Sequence, residues 1–135
     1  MSFKLYFYLI LLLLFSAINI NAQSIIVKPY LQDGAPNKMT VMWEADGVGN
    51  GFVDYGTSPF TLNLTSNSTI IVGNINTRIH AAAISGLSPS SKYYYRVRMA
   101  SGSVSRVYNF TTQPSKNSNE RTNFIAMSDI QRDGG

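Results

Sequence analysis

The chain has 135 residues, enough for one domain of ordinary size. Hydrophobic residues make up 44% and charged residues 13%, which excludes a disordered tail, and the lack of cysteine excludes disulfides, thiolate zinc sites and a cysteine nucleophile. The net charge is +4, but Lys28, Lys38, Arg78, Lys92, Arg96, Arg98 and Arg106 are scattered singly rather than clustered, so no nucleic-acid partner is expected.

Met1–Ala22 reads as a signal peptide. Lys4 supplies a positive start, Leu5–Phe15 is an unbroken apolar run, and Asn19–Ala22 is a short polar-to-small segment with cleavage before Gln23. The run is shorter than the roughly 20 apolar residues a spanning helix needs, so no transmembrane span is expected after cleavage. Ile20 is bulkier than the small residue usual at that place. An uncleaved anchor is the alternative, and either reading places the rest of the chain outside the cytoplasm. A secreted, periplasmic or extracellular protein is expected.

After the leader, short segments alternate with turn signals, the pattern of an all-β sandwich or barrel. Ile25–Gln32 is a first strand, and Pro29 within it marks an edge or a bulge because proline cannot donate to a ladder. Met39–Glu44 alternates cleanly, with Met39, Val41 and Trp43 on one face. Gly51–Gly56 is a third strand, Thr61–Thr65 and Thr69–Val72 are weaker and edge-like, and Thr77–Ser85 follows. Tyr93–Ala100 and Val104–Thr112 are joined by the turn Ser101-Gly102-Ser103. No helical period is found in this stretch. The spacing predicts a seven-stranded antiparallel sandwich over about residues 25–113, with Trp43, Tyr93, Tyr95, Val97 and Phe110 buried. Tyr94, Arg96 and Arg98 would share a solvated sheet face.

Gly86-Leu87-Ser88-Pro89-Ser90-Ser91-Lys92-Tyr93 has the layout of a tyrosine corner, in which a core tyrosine hydroxyl bonds back to the backbone a few residues upstream. Tyr93 is the corner residue, and Trp43 belongs to the same core. The pattern resembles a fibronectin type III domain. Read together, "KPYLQ", "MTVMWE", "VDYG", "IHAAAISGLSPSSKYYYRVR" and "YNFTTQP" make a more specific resemblance. They look like the fibronectin-III-like N-terminal domain of purple acid phosphatases, secreted metallophosphoesterases, over about residues 25–114.

Pro114–Arg121 is polar and reads as a linker between the sandwich of residues 23–113 and a start of a second domain at residues 122–135. Thr122–Ser128 is a short apolar run ending in Asp129 and a glycine-rich tail. By itself Asp129 is as readily a turn residue or a helix cap as a ligand. The resemblance implies that this run is the first strand of an α/β metallophosphoesterase domain and that Asp129 binds the first metal. Gln131 stands where the family has Gly or His, and its amide oxygen is a second, weaker candidate ligand. The resemblance also implies two metal ions in the complete protein, Fe with Fe, Zn or Mn, and a phosphate ester substrate attacked by metal-activated hydroxide.

One carboxylate cannot hold two metals, and the only histidine, His80, lies in the sandwich. The 135-residue chain is therefore expected to contain no catalytic residues and to be inactive alone, as the N-terminal part of a metal-dependent acid phosphatase. His80 is expected to pack and hydrogen-bond at a sheet surface or a domain interface. Asn63, Asn67 and Asn109 head glycosylation sequons, which such a composition also produces by coincidence. The alternative function is a non-catalytic fibronectin-III adhesion or carbohydrate-associated module.

Overall fold

The computed structural model describes residues 23–47, 49–73 and 76–120. These form eight strands: β1 (Ile25–Ala35), β2 (Lys38–Asp46), β3 (Gly51–Gly56), β4 (Leu64–Asn67), β5 (Thr69–Gly73), β6 (Thr77–Ser85), β7 (Lys92–Met99) and β8 (Tyr108–Thr111). They make two four-stranded antiparallel sheets, β1-β2-β6-β5 and β4-β3-β7-β8. This is the expected fibronectin-III-like sandwich, with one strand more than predicted. The two edge-like segments expected at Thr61–Thr65 and Thr69–Val72 are both strands, and between them, at Ser68, the chain leaves one sheet for the other. β4 pairs with β3, β5 pairs with β6, and the Ser68 amide donates to the Gly51 carbonyl at the crossing.

Alternation decides what lies between the sheets. Tyr93, Tyr95, Val97 and Met99 of β7 turn inward, as do Val41, Trp43 and Ala45 of β2. Phe110 of β8 joins them, its ring stacked on Tyr93 with centroids 5.8 Å apart. Trp43 is fully buried, and its indole Nε1 donates to the Met99 Sδ at 3.4 Å across the core. Pro29 lies in β1, an edge strand whose register slips between Val27 and Tyr30.

The last hairpin departs from expectation. Instead of one long strand over Val104–Thr112, regular pairing holds only for Tyr108–Thr111, with an isolated bridge at Val104. Ser105 explains the gap. Its amide donates to the Val97 carbonyl (2.9 Å), and its hydroxyl accepts from the Val97 amide (3.0 Å). A side-chain oxygen thus stands in for the main-chain carbonyl of a regular ladder, and the chain bulges there.

The turn from β6 into β7 is built by short-range bonds. Gly86 sits at φ 72°, a left-handed conformation that favours glycine, and Leu87 is buried behind it. The Ser88 amide donates to the Tyr93 hydroxyl at 3.0 Å. Thr112 reinforces the corner, since its hydroxyl donates to the Ser88 carbonyl (2.6 Å) and accepts from the Ser91 amide (2.9 Å). Removing the Tyr93 hydroxyl leaves the Ser88 amide without this partner. Tyr93→Phe is expected to cost about 1 kcal/mol of stability, read from the urea midpoint. A midpoint equal to wild type would show that this bond contributes nothing net.

Candidate functional site

The outward face of the β4-β3-β7-β8 sheet carries a charged cluster centred on Asp54. Antiparallel register sets Asp54 opposite Thr65 of β4 on one side and Arg96 of β7 on the other, with Phe52 opposite Arg98 one row along. Asp54 is 5% exposed. Its carboxylate accepts from the Thr65 hydroxyl (2.9 Å), from Arg98 Nε through both oxygens (2.9 and 3.2 Å), and more loosely from Arg96 Nε (3.4 Å). Burial pushes its carboxyl up, but hydrogen bonds from Arg98 and Thr65, the Arg98 charge and a bond from Arg96 together hold it below the ordinary 3.8. The Arg98 guanidinium also lies over the Phe52 ring, 4.4 Å from its centroid. Alternation along β7 assigns the two arginines to an outward face, and the structure puts them there. That they share a nearly buried carboxylate was not anticipated.

His80 is the second unusual group, and here expectation and structure differ. It lies inside the sandwich, with no exposure, and not at a surface. The register pairs it directly with Trp43, so both project from the same face of their sheet. The two rings stack with centroids 5.1 Å apart and planes 10° from parallel. The imidazole Nδ1 lies 2.9 Å from the Ser68 hydroxyl, while Nε2 has no partner among the described residues. Gly51 makes the stack possible, because a Cβ there would come within 2.5 Å of the Trp43 ring and 3.1 Å of His80 Nδ1.

Burial lowers the His80 imidazole below its ordinary 6.5. The unfolded chain then binds the proton more readily than the folded one. The stability His80 contributes is complete above about pH 6.5 and falls as the pH drops below it. The urea midpoint should therefore decline from about pH 7.5 to about pH 5.5, and His80→Gln should flatten that decline. An unchanged slope in the variant would assign it to other groups. Asp54 acts in a separate window, because its depressed carboxyl gives up its contribution only as the pH falls below the ordinary carboxylate value of 3.8.

A groove of about 460 Å³ runs between β1 and the β7–β8 connection, lined by Ser24, Ile25, Lys28, Pro29, Ser103–Arg106 and Tyr108. Arg106 lies over the Tyr108 ring at 4.8 Å. Burial and the neighbouring Tyr108 push the Tyr95 phenol behind it up to about 12, so it stays neutral.

Asp129 and Gln131 lie outside the described residues, as do the expected leader and the strand Thr122–Ser128. Among the described residues no three of His, Cys, Asp and Glu come together as a group that could hold a metal ion. No helix among them is long and apolar enough to cross a membrane. Asn63, Asn67 and Asn109 are exposed.

A family profile described as "Purple acid Phosphatase, N-terminal domain" matches residues 26–112. No curated protein matches the chain. Among solved structures, the sensor domain of the anti-sigma factor RsgI4 from Pseudobacteroides cellulosolvens is similar at 13% identity and a TM-score of 0.52. That match covers 75% of this chain and 99% of the other. The solution structure of that sensor domain is 12% identical with a TM-score of 0.47, covering 80% of this chain and 94% of the other. At 13% identity the first of these likenesses concerns the sandwich fold alone.

Proposed function

This chain belongs to the family of the purple acid phosphatase N-terminal domain, and we propose from that membership that it opens a secreted binuclear-metal phosphoesterase acting on phosphate monoesters. The observation that carries the proposal is the match over residues 26–112, which includes the tyrosine corner and nearly all of the sandwich. In this reading Met1–Ala22 is a signal peptide that directs the protein outside the cytoplasm. The sandwich is an accessory domain beside the catalytic one. Residues 114–121 are a linker, and residues 122–135 begin the metallophosphoesterase domain, with Asp129 as a ligand of the first metal and Gln131 a weaker candidate beside it.

Two features of the described residues support the linker. Residues 112–120 form no strand or helix, and the Glu120 carboxylate accepts from the Ser90 hydroxyl, which ties the departing chain to the corner end of the sandwich. In the complete protein a pair of metal ions, iron with iron, zinc or manganese, would supply hydroxide at neutral or acid pH and stabilise charge on the phosphoryl oxygens.

The test compares two proteins. The purified 135-residue chain, with added iron, zinc or manganese, is expected to hydrolyse no chromogenic phosphomonoester above blank. The protein encoded by the complete reading frame, loaded with metal, is expected to hydrolyse it and to lose activity on chelation. Turnover by the short chain would overturn the division of labour proposed here. A metal-loaded complete protein without turnover, or a reading frame that continues into another sandwich, would overturn the phosphatase reading.

A further inference from the structure

We infer that Arg96 and Arg98, held side by side by Asp54 on the outward face of the sandwich, form a binding site for a small oxyanion, phosphate or carboxylate. The inference does not depend on phosphatase activity.

Three observations carry it. First, one carboxylate serves two guanidinium groups, and Asp54 is the only acid on β4, β3, β7 or β8. The cluster keeps an uncompensated positive charge. Second, both arginines meet Asp54 through Nε. Among the described residues the Nη groups of neither have a hydrogen-bond partner, although the side chains are 42% and 36% exposed. These planar donors are the groups that recognise phosphate and carboxylate oxygens in pairs. Third, Arg98 is already fixed, with its Nε on both oxygens of a nearly buried carboxylate and its plane over the Phe52 ring. A group held in place before binding loses less freedom when the ligand arrives. A purely structural ion pair needs one arginine. The second, bonded only at 3.4 Å, is the one left to reach a ligand.

The experiment titrates the isotopically labelled 135-residue chain with inorganic phosphate and, separately, with acetate, at constant ionic strength in chloride. The readout is the arginine Nε–H resonances. Saturable shifts confined to Arg96 and Arg98, with millimolar affinity, are expected, and the tighter of the two anions identifies the source of the oxyanion. Arg96→Gln keeps the Arg98–Asp54 pair and therefore the fold, and should weaken binding about tenfold, which corresponds to the loss of one charged hydrogen bond. Arg106→Gln, in the groove between β1 and the β7–β8 connection, should leave binding unchanged. Drift no larger than that given by chloride, or equal affinity in wild type and Arg96→Gln, would overturn the site.

Discussion

Replacing Asp129 by Asn in the complete protein is expected to cut both bound metal and phosphatase rate by at least about a hundredfold, the upper end of what losing a residue that merely supports a ligand costs. Asparagine keeps the shape of the side chain but removes the negative charge that would balance a multivalent cation. It also offers a neutral oxygen where a hard ion prefers a carboxylate. The sandwich should fold as before, since its core is closed among residues of β2, β3, β6, β7 and β8. The measurements are metal content, turnover of a phosphomonoester, and the unfolding transition of the sandwich. Full metal content with a normal rate would make Asp129 a turn residue rather than a metal ligand.

The largest expected effect on stability comes from Trp43→Ala. Trp43 is the biggest of the fully buried side chains. It contacts the opposite sheet through Met99, stacks on His80, and is met closely by the Gly51 backbone. Truncation removes these contacts and leaves a cavity that the rigid strands around it can close only in part. The expected loss is about 3–5 kcal/mol. Small domains are stable by about 5–15 kcal/mol, so the variant should unfold at far lower urea or fail to fold at room temperature. Circular dichroism follows the transition, because the substitution removes the only tryptophan. A loss below about 1 kcal/mol, the size expected of a surface contact, would mean that the core is not organised around this ring.

Much of the sandwich could be read in the residues because its signals are local. Met39, Val41 and Trp43 recur every second position, as do Tyr93, Tyr95 and Val97, and that period alone assigns them to one buried face. The tyrosine corner is equally local: the bond from the Ser88 amide to the Tyr93 hydroxyl spans five residues. Pro29 marks an edge or a bulge because its missing donor is a property of the residue itself, and β1 has both, an edge position and a register slip between Val27 and Tyr30. The carboxylate candidate at Asp129 came from family resemblance, and its surroundings lie outside the described residues.

What the period of two leaves open is which strand lies next to which, and in what register. Arg96 and Arg98 could be assigned to an outward face, but their shared partner Asp54 is 42 and 44 residues away, brought opposite only when β3 pairs with β7. His80 went inward because β6 sets it against Trp43 rather than against Glu44 or Met42, and a register one residue different would have turned it to the other face of the sheet, away from Trp43. Ser105 breaks the predicted strand Val104–Thr112 because its hydroxyl meets the Val97 amide, a contact that exists only once the hairpin has closed. An all-β chain with an aromatic core and a tyrosine corner is legible in the residues, since each depends on residues close in the chain. The Asp54–Arg96–Arg98 cluster and the buried Trp43–His80 stack exist only in the folded sheets, since both are made by side chains that meet through strand pairing across long sequence separations.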